Sequence, residues 1–177
     1  MEIDPTKILE FVKSRRSIRN FLFSKIYKDT INEILEFGRW APSGNNNQPW
    51  RVHIVIHETV KNMLAGLTKY GGIIENAYIN FVIFLDLEKC YDRVKDLQAI
   101  GAFMQNILLG VHAHGLGGVW LGEILNQKEK VNELFKISSD KYELMGVIAV
   151  GEIDEALDKM ADKERIRRPL EDFTEWY

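Results

Sequence analysis

The chain has 177 residues, 46% hydrophobic and 28% charged, with a formal net charge of −3. This is the balance of a soluble globular protein, and the length predicts a single domain, 1–177, with a substantial core. The longest apolar runs, around Phe81–Leu85 and Val147–Val150, are too short to span a bilayer, and one cysteine, Cys90, excludes an internal disulfide or a Cys-based metal cluster.

Asp4 followed by Pro5 is a helix start, an N-cap with proline in the first turn, and Ile8, Leu9, Phe11 and Val12 give that helix an apolar stripe. The polar start Met1–Pro5 does not read as a signal peptide, so a cytoplasmic protein with no membrane partner is expected. Next comes Ser14-Arg15-Arg16-Ser17-Ile18-Arg19, three arginines and two hydroxyls in six residues. In an extended segment Arg15, Ser17 and Arg19 point the same way. Guanidinium forks beside a hydroxyl suit a phosphate or an electron-rich carbonyl, although a solvated basic turn is the plainer fate of such a run. Positive charge gathers here and at Lys163–Arg168 in a chain that is acidic overall. That pattern favours a small anionic ligand over nucleic acid.

Thr30-Ile31-Asn32-Glu33 reads as a capping box, with Ile31, Ile34, Leu35 and Gly38 forming the inward face of the helix that follows. Pro42 and Gly44 break that helix at Ala41-Pro42-Ser43-Gly44-Asn45-Asn46-Asn47-Gln48-Pro49-Trp50. Four consecutive side-chain amides offer paired donors and acceptors that a polar heteroaromatic ligand can use, and Pro49 forces an extended start to the next strand. A surface turn is the bland alternative.

Arg51–His57 alternates as a half-buried strand, with Val52, Ile54 and Ile56 on one side. A helix near Thr59–Leu67 and a Gly71-Gly72 turn follow, and Ile79–Leu85 reads as a central strand. The next helix, about Asp96–His112, repeats Leu97, Ile100, Met104, Ile107, Leu108 and Val111, with Gly101 and Ala102 allowing another backbone to approach. Met104 is read as packing rather than as a ligand contact. Gly115-Leu116-Gly117-Gly118 leads into a strand at Val119–Leu121; because these glycines follow a helix, they are no dinucleotide fingerprint. A helix at Gln127–Leu134 and a strand at Tyr142–Ile153, interrupted by Gly146 and Gly151, complete the core. Asp154–Tyr177 is charged yet ends in Phe173 and Trp176, and is read as docked.

His112 and His114 lack further ligands at metal spacing, so no metal is expected. No nucleophile-elbow, zincin or P-loop pattern occurs, and Cys90 is read as a bystander.

The Arg-Arg-Ser-x-Arg run, the Ala-Pro-Ser-x-x-Asn-x-Gln-Pro-Trp loop, the Gly115–Gly122 segment and the basic run Arg165-Ile166-Arg167-Arg168-Pro169-Leu170 occur in that order. Together they resemble the nitroreductase family of FMN-dependent oxidoreductases. The resemblance implies an α+β sandwich, a central mixed β-sheet flanked by helices, in a homodimer whose C-terminal tail is exchanged with the partner subunit. It implies FMN as cofactor, held by Arg15, Arg16, Ser17 and Arg19 and by the late pair Arg165 and Arg167. It places the backbone of Trp120, Leu121, Gly122 and Glu123 near the reactive flavin nitrogen, and brings Pro42, Ser43, Gly44, Asn47 and Gln48 from the other subunit. NAD(P)H and a nitroaromatic, quinone or similar small acceptor would then react in turn, by a ping-pong mechanism. No protein residue is assigned as the chemical catalyst. The short segment Asp86–Asp96 leaves little room for a helical lid. The alternatives are a flavin-binding protein without turnover and a specialised dehydrogenase or oxidase of the same family.

Overall fold

A computed structural model describes residues 4–157 and 165–177; Lys163 of the late basic run and Met1–Ile3 lie outside the described residues. Helix α1 (Pro5–Ser14) begins as its sequence predicts, with the Asp4 carboxylate accepting from Thr6 N at 2.9 Å. Its apolar stripe stays uncovered within the chain: Ile8, Leu9 and Val12 are all exposed. Helix α2 (Lys28–Arg39) starts ahead of the Thr30 box, because Tyr27 O already accepts from Ile31 N at 3.1 Å. Its inward residues Ile31, Ile34 and Gly38 are buried as expected.

Five strands form the sheet: β1 (Phe21–Leu22), β2 (Trp50–Val55), β3 (Ile79–Asp86), β4 (Gly117–Leu121) and β5 (Tyr142–Ile153). The order is β1-β5-β3-β2, with β4 also on β5, and these pairings are antiparallel. The mixed direction enters through one parallel bridge, Ser17 to Gly118. β3 is central and buried throughout Ile79–Leu85, apolar but for Asn80, and its alternate residues feed two cores. Phe81, Ile83 and Leu85 pack with α2 and with α5 (Arg93–Ala113). Val82 and Phe84 pack on the opposite layer with Leu64, Ile74 and Val131. That layer is built from α3 (Glu58–Ala65), α4 (Gly71–Asn76) and α6 (Lys128–Phe135).

Three expectations are corrected. On the edge strand β2 the alternation holds, but the helical cover runs out: Trp50 and Val52 pack against the α5 cluster, whereas Ile54 and Ile56 are exposed. Val55, on the other face, is the buried residue. Gly71 and Gly72 open α4 rather than forming a separate turn, and a Cβ on Gly71 would stand 2.6 Å from Ala65 O. Lys61, itself buried, stitches α3 to α4 by donating to Glu75 O and Ala77 O at 3.1 Å each. Close helix approach falls at Gly38, whose Cβ would meet Phe103 at 2.8 Å, and at Gly110 against Phe37 at 3.0 Å. Gly101 has nothing within 4 Å, since Phe103, Ile107 and Gly110 set the stripe that faces α2.

The tail leaves its aromatics uncovered by their own chain. Within the chain Phe173 is 55% exposed and Trp176 96% exposed, so these aromatics do not dock on their own protomer.

Candidate functional site

The site is built around the end of α1. Arg15 is the helix C-cap, with φ −57° and ψ 132°, so the chain leaves the helix extended. The Ser17–Gly118 bridge, with Ile18 N donating to Gly118 O at 3.1 Å, ties this segment to β4. Arg19, exposed, turns Nη1 to the Ser17 carbonyl at 3.1 Å. Arg15 borders two cavities. One, of about 430 Å³, is lined by Ser14, Arg16, Ile18, Leu108 and His112 among others. The second, of about 450 Å³, is lined by Val12, Lys13, Gln105, Arg165 and Arg167. Both lie in the size range of small-molecule sites.

The late basic pair reaches Arg15 within the same chain. Arg165 Nη1 donates to Lys13 O, the last turn of α1, and Arg167 Nη1 donates to Ile166 O at 3.0 Å. Burial lowers the Arg15 pKa, and the charge of Arg167 lowers it further. Arg165 is lowered by burial and then by Arg16, Arg167 and Arg15. Arg15 Nη1 is buried and makes no hydrogen bond. A folded chain that holds mutually repelling guanidiniums around a buried donor is arranged for a multivalent anion. Arg168 is occupied elsewhere, 5.5 Å over the Phe173 ring.

On the sheet side, Trp120 on β4 is 40% exposed, whereas the Leu121 side chain is in the core. Only the Leu121 backbone is therefore available to a ligand. A Cβ on Gly122 would meet nothing within 4 Å, so the backbone there faces open space. The turn is pinned by Glu123, whose carboxylate accepts from Thr68 Oγ1 at 2.6 Å and from Lys69 N at 3.2 Å. Those bonds, the Thr68 hydroxyl first, hold the Glu123 carboxyl below its ordinary range. A depressed carboxylate stabilises the fold above its unfolded pKa, and the contribution is lost as pH falls through the folded value. Glu123→Gln is therefore expected to lower stability at neutral pH and to flatten its acid decline, as urea unfolding at several pH values would show.

The amide loop is locally built. Ser43 Oγ accepts from Gln48 N at 3.0 Å, and Gln48 Nε2 reaches Asn46 O and Oδ1 at 3.3 Å each. Asn45, Asn46 and Gln48 hold φ of 52°, 55° and 50°, the left-handed region that asparagine tolerates best among non-glycine residues. The spacing of the motif puts its asparagine at Asn46; Asn47, singled out from the sequence, is half-buried, and Pro42 is exposed. Gly44 lies under Tyr91, whose hydroxyl would be 2.1 Å from a Cβ at that position. Trp50 stacks on Phe103 with ring centroids 4.8 Å apart.

The two grips do not meet within one chain. Neither cavity bordered by Arg15 is lined by a residue of Pro42–Gln48. The loop's Trp50 sits on Phe103 of α5 and the arginines beside Gln105, two residues on and about 200° round the helix, so the two grips lie against different faces of α5.

Sequence reasoning did not find Tyr91, the Thr68–Lys69 clamp, or the placement of His112 beside Ser14. The first two are contacts between distant segments with no local pattern. His112 shares a helical face with Leu108, four residues earlier, but its α1 partners carry no periodic signal. Among the described residues no group of three or more His, Cys, Asp or Glu is placed to hold a metal, and no helix is long and apolar enough to cross a membrane. Cys90 is half-buried, and burial followed by Asp96 pushes its thiol up to about 11, which makes it a poor nucleophile.

The chain is thus an antiparallel α+β sandwich with an arginine cluster against its 21-residue helix and a separate amide loop. The chain belongs to the nitroreductase family, whose model matches residues 12–152. An Archaeoglobus fulgidus protein provisionally assigned as an NADH dehydrogenase/NAD(P)H nitroreductase is 34% identical over 129 residues, 71% of this chain and 72% of that one. Bacillus subtilis YfhC, provisionally assigned as an NAD(P)H nitroreductase, is 31% identical over 186 residues, 94% of this chain and 92% of the relative. A Desulfovibrio desulfuricans chain provisionally assigned as a nitroreductase was crystallised with FMN. It superposes with a TM-score of 0.88 at 36% identity, covering 99% of both chains.

Proposed function

We propose that this protein is an FMN-dependent NAD(P)H oxidoreductase that works as a homodimer on a nitroaromatic, quinone or similar small acceptor. The observation that carries the reading is the buried, unpartnered Nη1 of Arg15 inside a cluster with Arg165 and Arg167. FMN, when bound, supplies the hydride-accepting and electron-donating chemistry between the nicotinamide and the acceptor. Arg15, Arg165 and Arg167 hold its phosphate, and the Arg16, Ser17 and Arg19 run continues along the polar side of the cofactor. The open backbone at Gly122, fixed through Glu123, lets a flat ring approach and presents N–H groups to it. No side-chain acid or base is required where solvent exchanges protons at the ring.

The dimer reading rests on three features of the single chain: the uncovered stripe of α1, the exposed tail aromatics, and an amide loop apart from the arginine clamp. A second copy bringing Pro42, Ser43, Gly44, Asn47 and Gln48 to the first copy's clamp makes one composite cleft. A tail exchanged between subunits covers Phe173 and Trp176. In a cleft with room for one reactant at a time, NAD(P)H would give up its hydride and leave as NAD(P)+ before the acceptor binds. Initial velocities measured against both reactants test this: parallel double-reciprocal lines are expected, and intersecting lines would show both reactants bound together.

A further inference from the structure

The imidazole of His112 lines the first cavity beside Arg15, the residue that cavity shares with the clamp, and has no role in the function proposed above. It stacks on Phe11 with centroids 5.0 Å apart and an interplanar angle of 29°, and its Nε2 lies 2.7 Å from Ser14 Oγ. Both contacts are satisfied together when the Ser14 hydroxyl donates its one proton to Phe11 O at 2.9 Å and Nε2 donates to Ser14. The neutral ring therefore carries its proton on Nε2, and any second proton goes to Nδ1. His112 shares its cavity with Arg15 and Arg16 from the end of α1 and with Glu155 beyond β5. The other charges around it are Arg165 from the tail and, two residues on, His114 with Glu33 of α2 at 3.4 Å.

We propose that His112 takes up a proton from solvent as a phosphate group settles against Arg15 and Arg165, and so serves as a further anion-binding residue of the clamp. Without an anion, burial and then the charges of Arg15 and Arg165 keep the ring below its ordinary pKa. A phosphate dianion cancels the guanidinium repulsion, which removes the part of the penalty that is electrostatic. The imidazolium that forms lies in the last turn of α5, where the helix dipole favours a cation. The Ser14 contact persists, because Nε2 donates in both protonation states. That the phosphate belongs to FMN rests on the function proposed above.

The sign follows from linkage. A histidine whose pKa is higher in the bound state strengthens binding as pH falls, by about tenfold for each pKa unit restored. The second ionisation of the phosphate, near pH 6, works in the opposite direction, so the contribution of His112 is read by difference. Apo-protein is titrated with FMN and with riboflavin by fluorescence quenching, between about pH 5 and 8, for the native chain and for His112→Gln. The native chain is expected to gain FMN affinity over the variant as pH falls, with no such gain for riboflavin, which lacks the phosphate. Imidazole NMR on the native chain supplies a readout that does not depend on the variant folding: the His112 ring should titrate at higher pH with FMN than without it. FMN affinities that follow the same pH course in both proteins, or a His112 titration that FMN leaves in place, would overturn the inference while leaving the flavin reading intact. A native chain that binds no FMN at any pH overturns both.

Discussion

Replacing Arg15 with methionine is expected to weaken FMN binding by about ten- to a hundredfold, the worth of one or two charge-assisted hydrogen bonds. The same substitution should leave the apo-protein as stable as before, or more stable by up to about 1 kcal/mol. Methionine keeps the apolar stem of the side chain while removing a buried guanidinium nitrogen that has no partner. The folded chain holds Arg15 below its ordinary pKa through burial and Arg167, so its charge is a cost of folding. Because a guanidinium stays protonated at any working pH, that cost is relieved by mutation or by an anion. Urea unfolding with and without FMN separates the two effects: the midpoint without FMN should hold or rise, and the increment from FMN should shrink. A variant that loses apo stability yet binds FMN as tightly as the native chain would make Arg15 a structural residue.

Gly146→Ala is expected to destabilise the fold by about 1–3 kcal/mol, and each kcal/mol should lower Tm by about 2–4 °C in a chain of this size. The residue sits at φ +147°, where a side chain is strained. It also sits at the point where the β3–β5 register slips, with Ile83 opposite Gly146 and Phe84 opposite Leu144. Met145 is the extra residue of that bulge, and the bulge sets how β5 presents Gly146 to β4. An alanine Cβ would lie 2.8 Å from Trp120 Nε1 and 3.2 Å from Met104 Cε. Met104 is wholly buried, so the indole must move, and it belongs to the β4 end that leads into Gly122. FMN affinity should therefore fall together with Tm. An alanine variant that melts with the native protein would show that the strand tolerates a side chain at this φ.

The elements legible in the sequence were those whose pattern is local. Tyr142–Ile153 was read with its observed bounds, and the near-continuous apolar run of β3 marked it as central because both faces of that strand are covered. The arginine run and the amide loop announced themselves by composition, and the structure unites Arg15 with Arg165 and Arg167 across most of the chain. What was not legible depends on what packs where. Alternation on β2 gave the facing of Ile54 correctly, but no local signal tells that α5 stops short of covering it. Gly71-Gly72 has the composition of a turn, yet the close crossing of α3 and α4 uses Gly71 inside a helix. Gly101 looked like a close-approach position until the α2-facing stripe was seen to run through Phe103 and Gly110. The apolar stripe of α1 and the tail aromatics stood out in the sequence, and within one chain both are exposed.

The proposed function requires that the arginine clamp hold FMN and that NAD(P)H reduce it there. The most direct measurement loads the protein with FMN, excludes oxygen, adds NADH or NADPH in turn, and follows the visible absorption of the bound flavin. The absorption is expected to bleach on adding one equivalent of at least one nicotinamide and to return when a quinone or nitroaromatic is supplied. Bound flavin that keeps its colour with both nicotinamides would contradict it and make the protein a flavin carrier or an enzyme with another reductant.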